Sequence, residues 1–161
     1  LSSNGTATVR DCAFRNNSAE TGIGGAIRAF GTFNAYDSTF ENNIAQTNFG
    51  GAREAGLSST VLLQGCAFSG NVTGTSAGAI NGAGSMLTLD GCVVRNNSAA
   101  TDCGGVRVAA GSALIRNTVI AENVSLDNGG VYLQPSGTAR PVNCTVAGHR
   151  EAGMTGKIIV K

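Results

Sequence analysis

The sequence has no tryptophan, one histidine, two prolines and only two lysines, Lys157 and Lys161, and charged residues make up 13% of it. With a net charge of +1, so few cations build no basic stripe along which a nucleic-acid backbone could run. No apolar run approaches the ~20 residues that a membrane-spanning helix needs. No stretch sustains a 3.6-residue apolar period, and glycine, asparagine, serine and threonine are poor helix formers, so a helical bundle is excluded. What remains is a chain rich in glycine (24 residues) and in short side chains, a composition suited to a narrow, tightly wound β-structure.

The chain repeats. Phe14-Arg15-Asn16-Asn17, Phe40-Glu41-Asn42-Asn43, Phe68-Ser69-Gly70-Asn71, Val94-Arg95-Asn96-Asn97 and Ile120-Ala121-Glu122-Asn123 are copies of one motif, and Val146-Ala147-Gly148-His149 is a degenerate sixth. Their lead residues are spaced 26, 28, 26, 26 and 26 apart. A second motif follows each copy: Gly24-Gly25-Ala26-Ile27, Gly50-Gly51-Ala52, Ala77-Gly78-Ala79-Ile80, Gly104-Gly105-Val106 and Gly129-Gly130-Val131. Self-similarity at this period is the mark of a solenoid, in which each unit buries its apolar face against its neighbours.

Aligning the copies on the lead residue gives columns with distinct physical roles. Ala7, Phe33, Val61 and Leu87, then Val9, Leu63, Leu89 and Ile115, stand seven and five residues before it, the period-two pattern of a strand with one face inward. Asp11, Asp37, Gly65, Gly91, Asn117 and Asn143 follow, residues that tolerate left-handed backbone and so mark a bend. Next come small inward residues, Cys12, Ser38, Cys66, Cys92, Thr118 and Cys144. Asn17, Asn43, Asn71, Asn97 and Asn123 lie three residues after the lead, where a rung spacing of ~4.8 Å lets their amides bond to one another as a ladder. His149 takes the place of a sixth and is read as a substitute at the ladder's end or on the surface. The pattern predicts an all-β, single-stranded right-handed parallel β-helix of about six rungs, each of roughly 26 residues with three short strands. Gly156-Lys157-Ile158-Ile159-Val160 matches the Gly-Gly-Ala-Ile strand in position. Residues 1–161 thus read as one β-helix segment, uncapped at both ends and part of a longer protein.

Phe-x-x-Asn followed by Gly-Gly-Ala-Ile, alternating over residues 4 to 160, resembles the repeats of the chlamydial polymorphic outer membrane proteins. The resemblance implies a surface-exposed β-helix linked to adhesion, carried in that family as the passenger of an autotransporter. Val94, Ile120 and Val146 replace its phenylalanine, and Ala52-Arg53 and Val106 interrupt Gly-Gly-Ala-Ile.

Residues with chemistry to offer are dispersed. The cysteines form no CxxC pair and lack zinc-ligand spacing; Cys12, Cys66, Cys92 and Cys144 read as one buried column of small residues. Cys66 and Cys92 occupy adjacent rungs, so a disulfide between them is the exception open to test, and Cys103 is the odd thiol. Asp11 and Asp37, beside Arg10, read as bend residues, while Asp90, Asp102, Glu122 and Asp127 fall in other columns. No convergent set of acids marks a sugar-cleaving site. Six Asn-x-Ser/Thr sequons occur; those at Asn71 and Asn123 fall in the ladder, that at Asn143 overlaps Cys144, and Asn4, Asn16 and Asn96 read as the exposed N-glycosylation acceptors. The expected function is that of a non-enzymatic extracellular structural or adhesive module, a stalk or filament segment of a cell-surface protein that needs no cofactor or metal. Its expected partners are other surface or filament proteins, copies of itself through sheet edges and lateral faces, and glycans. The alternative is a polysaccharide lyase, hydrolase or carbohydrate-binding β-helix.

Overall fold

A computed structural model of the chain describes residues 1–21, 23–47, 50–51, 53–55, 59–150 and 152–155, with backbone alone at 2–3, 53–55 and 152–155. The described residues form strands and turns and no helix. Every strand pairing is parallel, and the chain winds about five turns. The sequence period predicts about six rungs; the six strands of the middle sheet bound five turns between them.

Three sheets run along the column. Among the described residues the long sheet has ten strands, the middle sheet six and the short sheet four. The middle sheet stacks Ala13–Arg15, Thr39–Glu41, Ala67–Ser69, Val93–Arg95, Val119–Ala121 and Thr145–Ala147 in register. Each strand carries one inward residue, the lead apolar side chain. In the long sheet the Gly-Gly-Ala-Ile strand and the first strand of the next rung lie end to end. They are separate early on (Ile27–Ala29 and Thr32–Tyr36) and fused later (Ile80–Asp90, Val106–Arg116 and Asn128–Val142). Register shifts between Gly82 and Ser85 mark the joint, so the expected three strands per rung are four short ones, two of which merge.

The core is built from columns of like residues. Phe33, Val61, Leu87 and Ala113 form one, Ala35, Leu63, Leu89 and Ile115 a second, and Phe40, Phe68, Val94 and Ile120 a third, all buried. Phe14, Phe40 and Phe68 stack face to face, with centroids 5.0 and 4.6 Å apart and rings within 3° of parallel. In-register parallel stacking dictates this, since the same rotamer repeats one rung on. Phe40, touched by a ring on both sides, is fully buried. Phe40→Ala is therefore expected to cost about 3–5 kcal/mol in guanidinium unfolding.

Sharp corners let so short a strand turn. Asp11, Asp37, Gly65, Gly91, Asn117 and Asn143 all have φ between 47 and 63°. A second column, Asn16, Asn42, Gly70, Asn96, Glu122 and Gly148, has φ between 54 and 70°. The double glycines do not occupy a single column. Gly25, Gly51, Gly78, Gly104 and Gly129 share a position, so Gly104-Gly105 and Gly129-Gly130 are offset by one from Gly24-Gly25 and Gly50-Gly51. Gly24 and Gly50 turn the corner before it at φ 78 and 74°, with Ala77 doing so at 66°. The described strand of the last rung is Ala152–Thr155, with Met154 opposite Val131; the match at 156–160 and Ala52 lie outside the described residues.

Candidate functional site

The longest polar array runs inside the column. Asn17 donates its backbone N–H and its Nδ2 to Asn43 Oδ1 at 3.1 and 2.8 Å. Asn43 does the same to Asn71, Asn71 to Asn97 and Asn97 to Asn123, at 2.9–3.0 Å. Each Nδ2 also reaches back to a carbonyl of the rung behind: Phe14 O, Phe40 O, Phe68 O and Val94 O. Asn43, Asn71, Asn97 and Asn123 are fully buried. At the end, Asn123 N–H donates to His149 Nδ1 at 3.2 Å, so the imidazole supplies the acceptor that an asparagine supplies elsewhere. The array fixes a turn, and only its first member, Asn17, is exposed.

The inward column before it alternates sulfur and hydroxyl. Cys12 N–H donates to Ser38 Oγ and Cys92 N–H to Thr118 Oγ1, so each small side chain ties the rung before it. Cys66 and Cys92 are buried; Cys12 and Cys144 are half-buried. Cys103 lies outside this column, and its Sγ donates to Val106 O and Gly130 O at 3.3 Å. Burial pushes its thiol up to about 12. Since the thiolate is the reactive form, iodoacetamide at neutral pH is expected to label Cys12 and Cys144 well before Cys103, as peptide mapping would read.

The carboxylates are placed by corners and pairs. Asp11, Asp37 and Glu122 sit at left-handed corners. Arg10 covers the ring of Tyr36 at 3.9 Å. Asp90 accepts from Asn117 Nδ2 at 3.0 Å and pairs with Arg116 at 2.9 Å, contacts that hold its carboxyl below the usual range, the Asn117 bond most of all. Asn143 Nδ2 extends that chain to Asn117 Oδ1.

One polar cluster was not foreseen from the sequence. Asn81 and Arg107 are in register on the outer side of the long sheet, in a column that continues to Glu54 and Tyr132. Both are buried, unlike other outward residues. Arg107 Nη1 donates to Asn81 Oδ1 at 2.9 Å, and its Nε faces Asp102 Oδ2 at 3.6 Å. The same carboxylate oxygen accepts from Ser76 Oγ at 2.7 Å, and Ser76 Oγ lies 3.1 Å from Thr101 Oγ1. The sequence signal is the position of Asn81 and Arg107, each directly after an inward aliphatic, Ile80 or Val106; Asp102 carries no such signal. Chemically the cluster offers one carboxylate and one guanidinium neutralising each other. A glycosidase needs two carboxyl groups flanking the bond to be cut.

A shallow depression of about 280 Å³ lies on the outer face of the middle sheet, between Glu41 and Arg95 and floored by Ala67, Phe68 and Ser69. Glu41 is already paired with Arg15 at 2.8 Å. Among the described residues no group of three or more His, Cys, Asp or Glu could hold a metal ion, and no helix is long and apolar enough to cross a membrane. Of the sequon asparagines, Asn4, Asn16, Asn96 and Asn143 are exposed, Asn143 with its Nδ2 bonded to Asn117 Oδ1, whereas Asn71 and Asn123 are buried in the ladder.

The family model for the right-handed β-helix region matches residues 1–156. Comparison with curated proteins and with solved structures found no match.

Proposed function

The chain belongs to the right-handed β-helix family, and on that premise we propose that it is a non-enzymatic extracellular module, a rigid stalk or filament segment of a large cell-surface protein. One observation carries this reading: the longest buried polar array, the asparagine ladder, spends its hydrogen bonds along the axis on partners 26 or 28 residues away. A column bonded rung to rung by sheets, a buried amide ladder and stacked rings resists bending, which suits projection from a cell. About five turns at ~4.8 Å give a segment roughly 24 Å long. Its partners are other surface or filament proteins, further copies of itself or a host receptor, met through its lateral faces. The adhesive role implied by the likeness to polymorphic outer membrane proteins fits the same reading.

Exposed sequons support glycosylation of the lateral surface. Glycopeptide mass spectrometry of protein from its native source is expected to find sugar on Asn4, Asn16 or Asn96 and none on Asn71 or Asn123, whose side chains are consumed in the ladder. Sugar on Asn71 or Asn123 would contradict the placement of the ladder inside the folded column.

The pairing of buried Arg107 with half-buried Asp102 favours a second reading, a polysaccharide-processing β-helix. Incubation with polyuronates and with neutral polysaccharides separates the two. The structural reading predicts no unsaturated sugars and no new reducing ends; release of either, abolished by Asp102→Asn, would overturn it.

A further inference from the structure

We propose that Cys66 and Cys92 are a dithiol that closes into a disulfide between adjacent rungs when a small-molecule disulfide reaches it. Both are free thiols in this structure. They precede the paired residues Ala67 and Val93 by one position, so they stand directly above one another in the parallel stack. At the ordinary strand spacing of ~4.8 Å their Cα atoms fall inside the range that a disulfide spans. In the inward column Cys12, Ser38, Cys66, Cys92, Thr118, Cys144, no other two sulfurs are neighbours.

One feature sets this pair apart from the rest of the column. The corners in front of the two thiols are Gly65 and Gly91, whereas Asp11, Asp37, Asn117 and Asn143 fill the other corners. A Cβ at Gly91 would meet nothing nearer than Gly65 N, at 4.0 Å, so the corner before Cys92 is open, whereas the Asp37 carboxylate covers the corner before Cys66. Cys92 Sγ reaches back to Leu63 O, at 3.2 Å, on the rung of Cys66, as Cys144 Sγ does to Ile115 O, at 3.1 Å, one rung behind it. The two thiols are unequal: hydrogen bonding from the Cys92 thiol favours the Cys66 thiolate, and the same contact together with burial disfavours the Cys92 thiolate. Cys66 is thus the attacking sulfur and Cys92 the resolving one.

The chemistry balances with oxidised glutathione as the oxidant. Cys66 Sγ attacks one glutathione sulfur, the glutathione S–S bond breaks, and the departing thiolate takes the Cys66 proton. Cys92 Sγ then attacks Cys66 Sγ, releasing the second glutathione, which takes the Cys92 proton. Two protein thiols are oxidised to one disulfide and one oxidised glutathione is reduced to two thiols. The bond closes a loop of one turn and adds a covalent tie between rungs that backbone bonds, packing and the Asn71–Asn97 amide bonds already join.

The test uses the folded chain incubated with oxidised glutathione, then acid-quenched, alkylated and mapped with a protease that cuts between the two cysteines. The expected product links Cys66 to Cys92 with the loss of two hydrogens and contains no other bond between protein cysteines, half-buried Cys12 and Cys144 carrying glutathione or the alkyl group. Its guanidinium midpoint rises and falls back on reduction. Serine is tolerated in this column, as Ser38 shows, so Cys92→Ser should stop at a glutathione adduct on Cys66, and Cys66→Ser should leave Cys92 unmodified. Free thiols at both positions, a bond to any other cysteine, or a bond formed only in denaturant would overturn the proposal. None of these outcomes depends on where the protein works.

Discussion

Gly78→Val is expected to cost about 4 kcal/mol or more in guanidinium unfolding, the range in which a chain of ordinary stability stops folding cooperatively. A Cβ at Gly78 would lie 2.6 Å from Ser98 O and 2.7 Å from Ser98 N, and closer still to Gly104 O. All three are backbone atoms of the next rung, held by ladder bonds on both sides, so no side chain can swing aside. Gly51 and Gly25 stand in the same column and face the same obstacle from Gly78 O and Gly51 O. The requirement is for space, not for unusual backbone: the left-handed corner is taken by the residue before, Ala77 at φ 66°. Gly5→Ala is the matched control. Nothing lies within 4 Å of a Cβ there, and its expected effect is within about 0.5 kcal/mol. Full stability of the Gly78 variant would contradict the stacking register of this strand.

Asn97→Ala is expected to cost about 4 kcal/mol. The substitution strips the acceptor from Asn71 N–H and Asn71 Nδ2, and the donor from Phe68 O, Arg95 O and Asn123 Oδ1, all in a buried turn. Each stranded donor costs about 1–3 kcal/mol, while carbonyls with a second lone pair engaged lose less. Asn97→Asp should do no better, because a carboxylate accepts from Asn71 but cannot donate to Phe68 O or Asn123 Oδ1. Asn17 is exposed and donates only towards Asn43, so Asn17→Ala should cost about 1 kcal/mol or less. Equal losses at Asn17 and Asn97 by chemical denaturation would contradict a continuous buried ladder.

The two motifs made the fold legible because a solenoid writes each spatial column as a fixed sequence interval. Asn17 to Asn123 and the apolar columns through Leu63 and Phe68 could be placed by counting alone. The one-residue offset of Gly104-Gly105 could not, since two adjacent glycines look alike until pairing shows that Gly105 stands where Ala79 does. Nor did the sequence separate the second left-handed corner, Asn16, Asn42 and Asn96, from the ladder residue beside it. The Asn81–Arg107–Asp102 contact was hidden for a different reason. Asp102 lies in the connection of variable length between the short and long sheets, where the period carries no register.

An antibody raised against the folded segment, applied to intact, unpermeabilised cells of the native source, tests the central claim most directly. The account predicts binding at the surface, along filaments or stalks, without permeabilisation. Signal that appears only after the cells are opened would contradict an extracellular structural module.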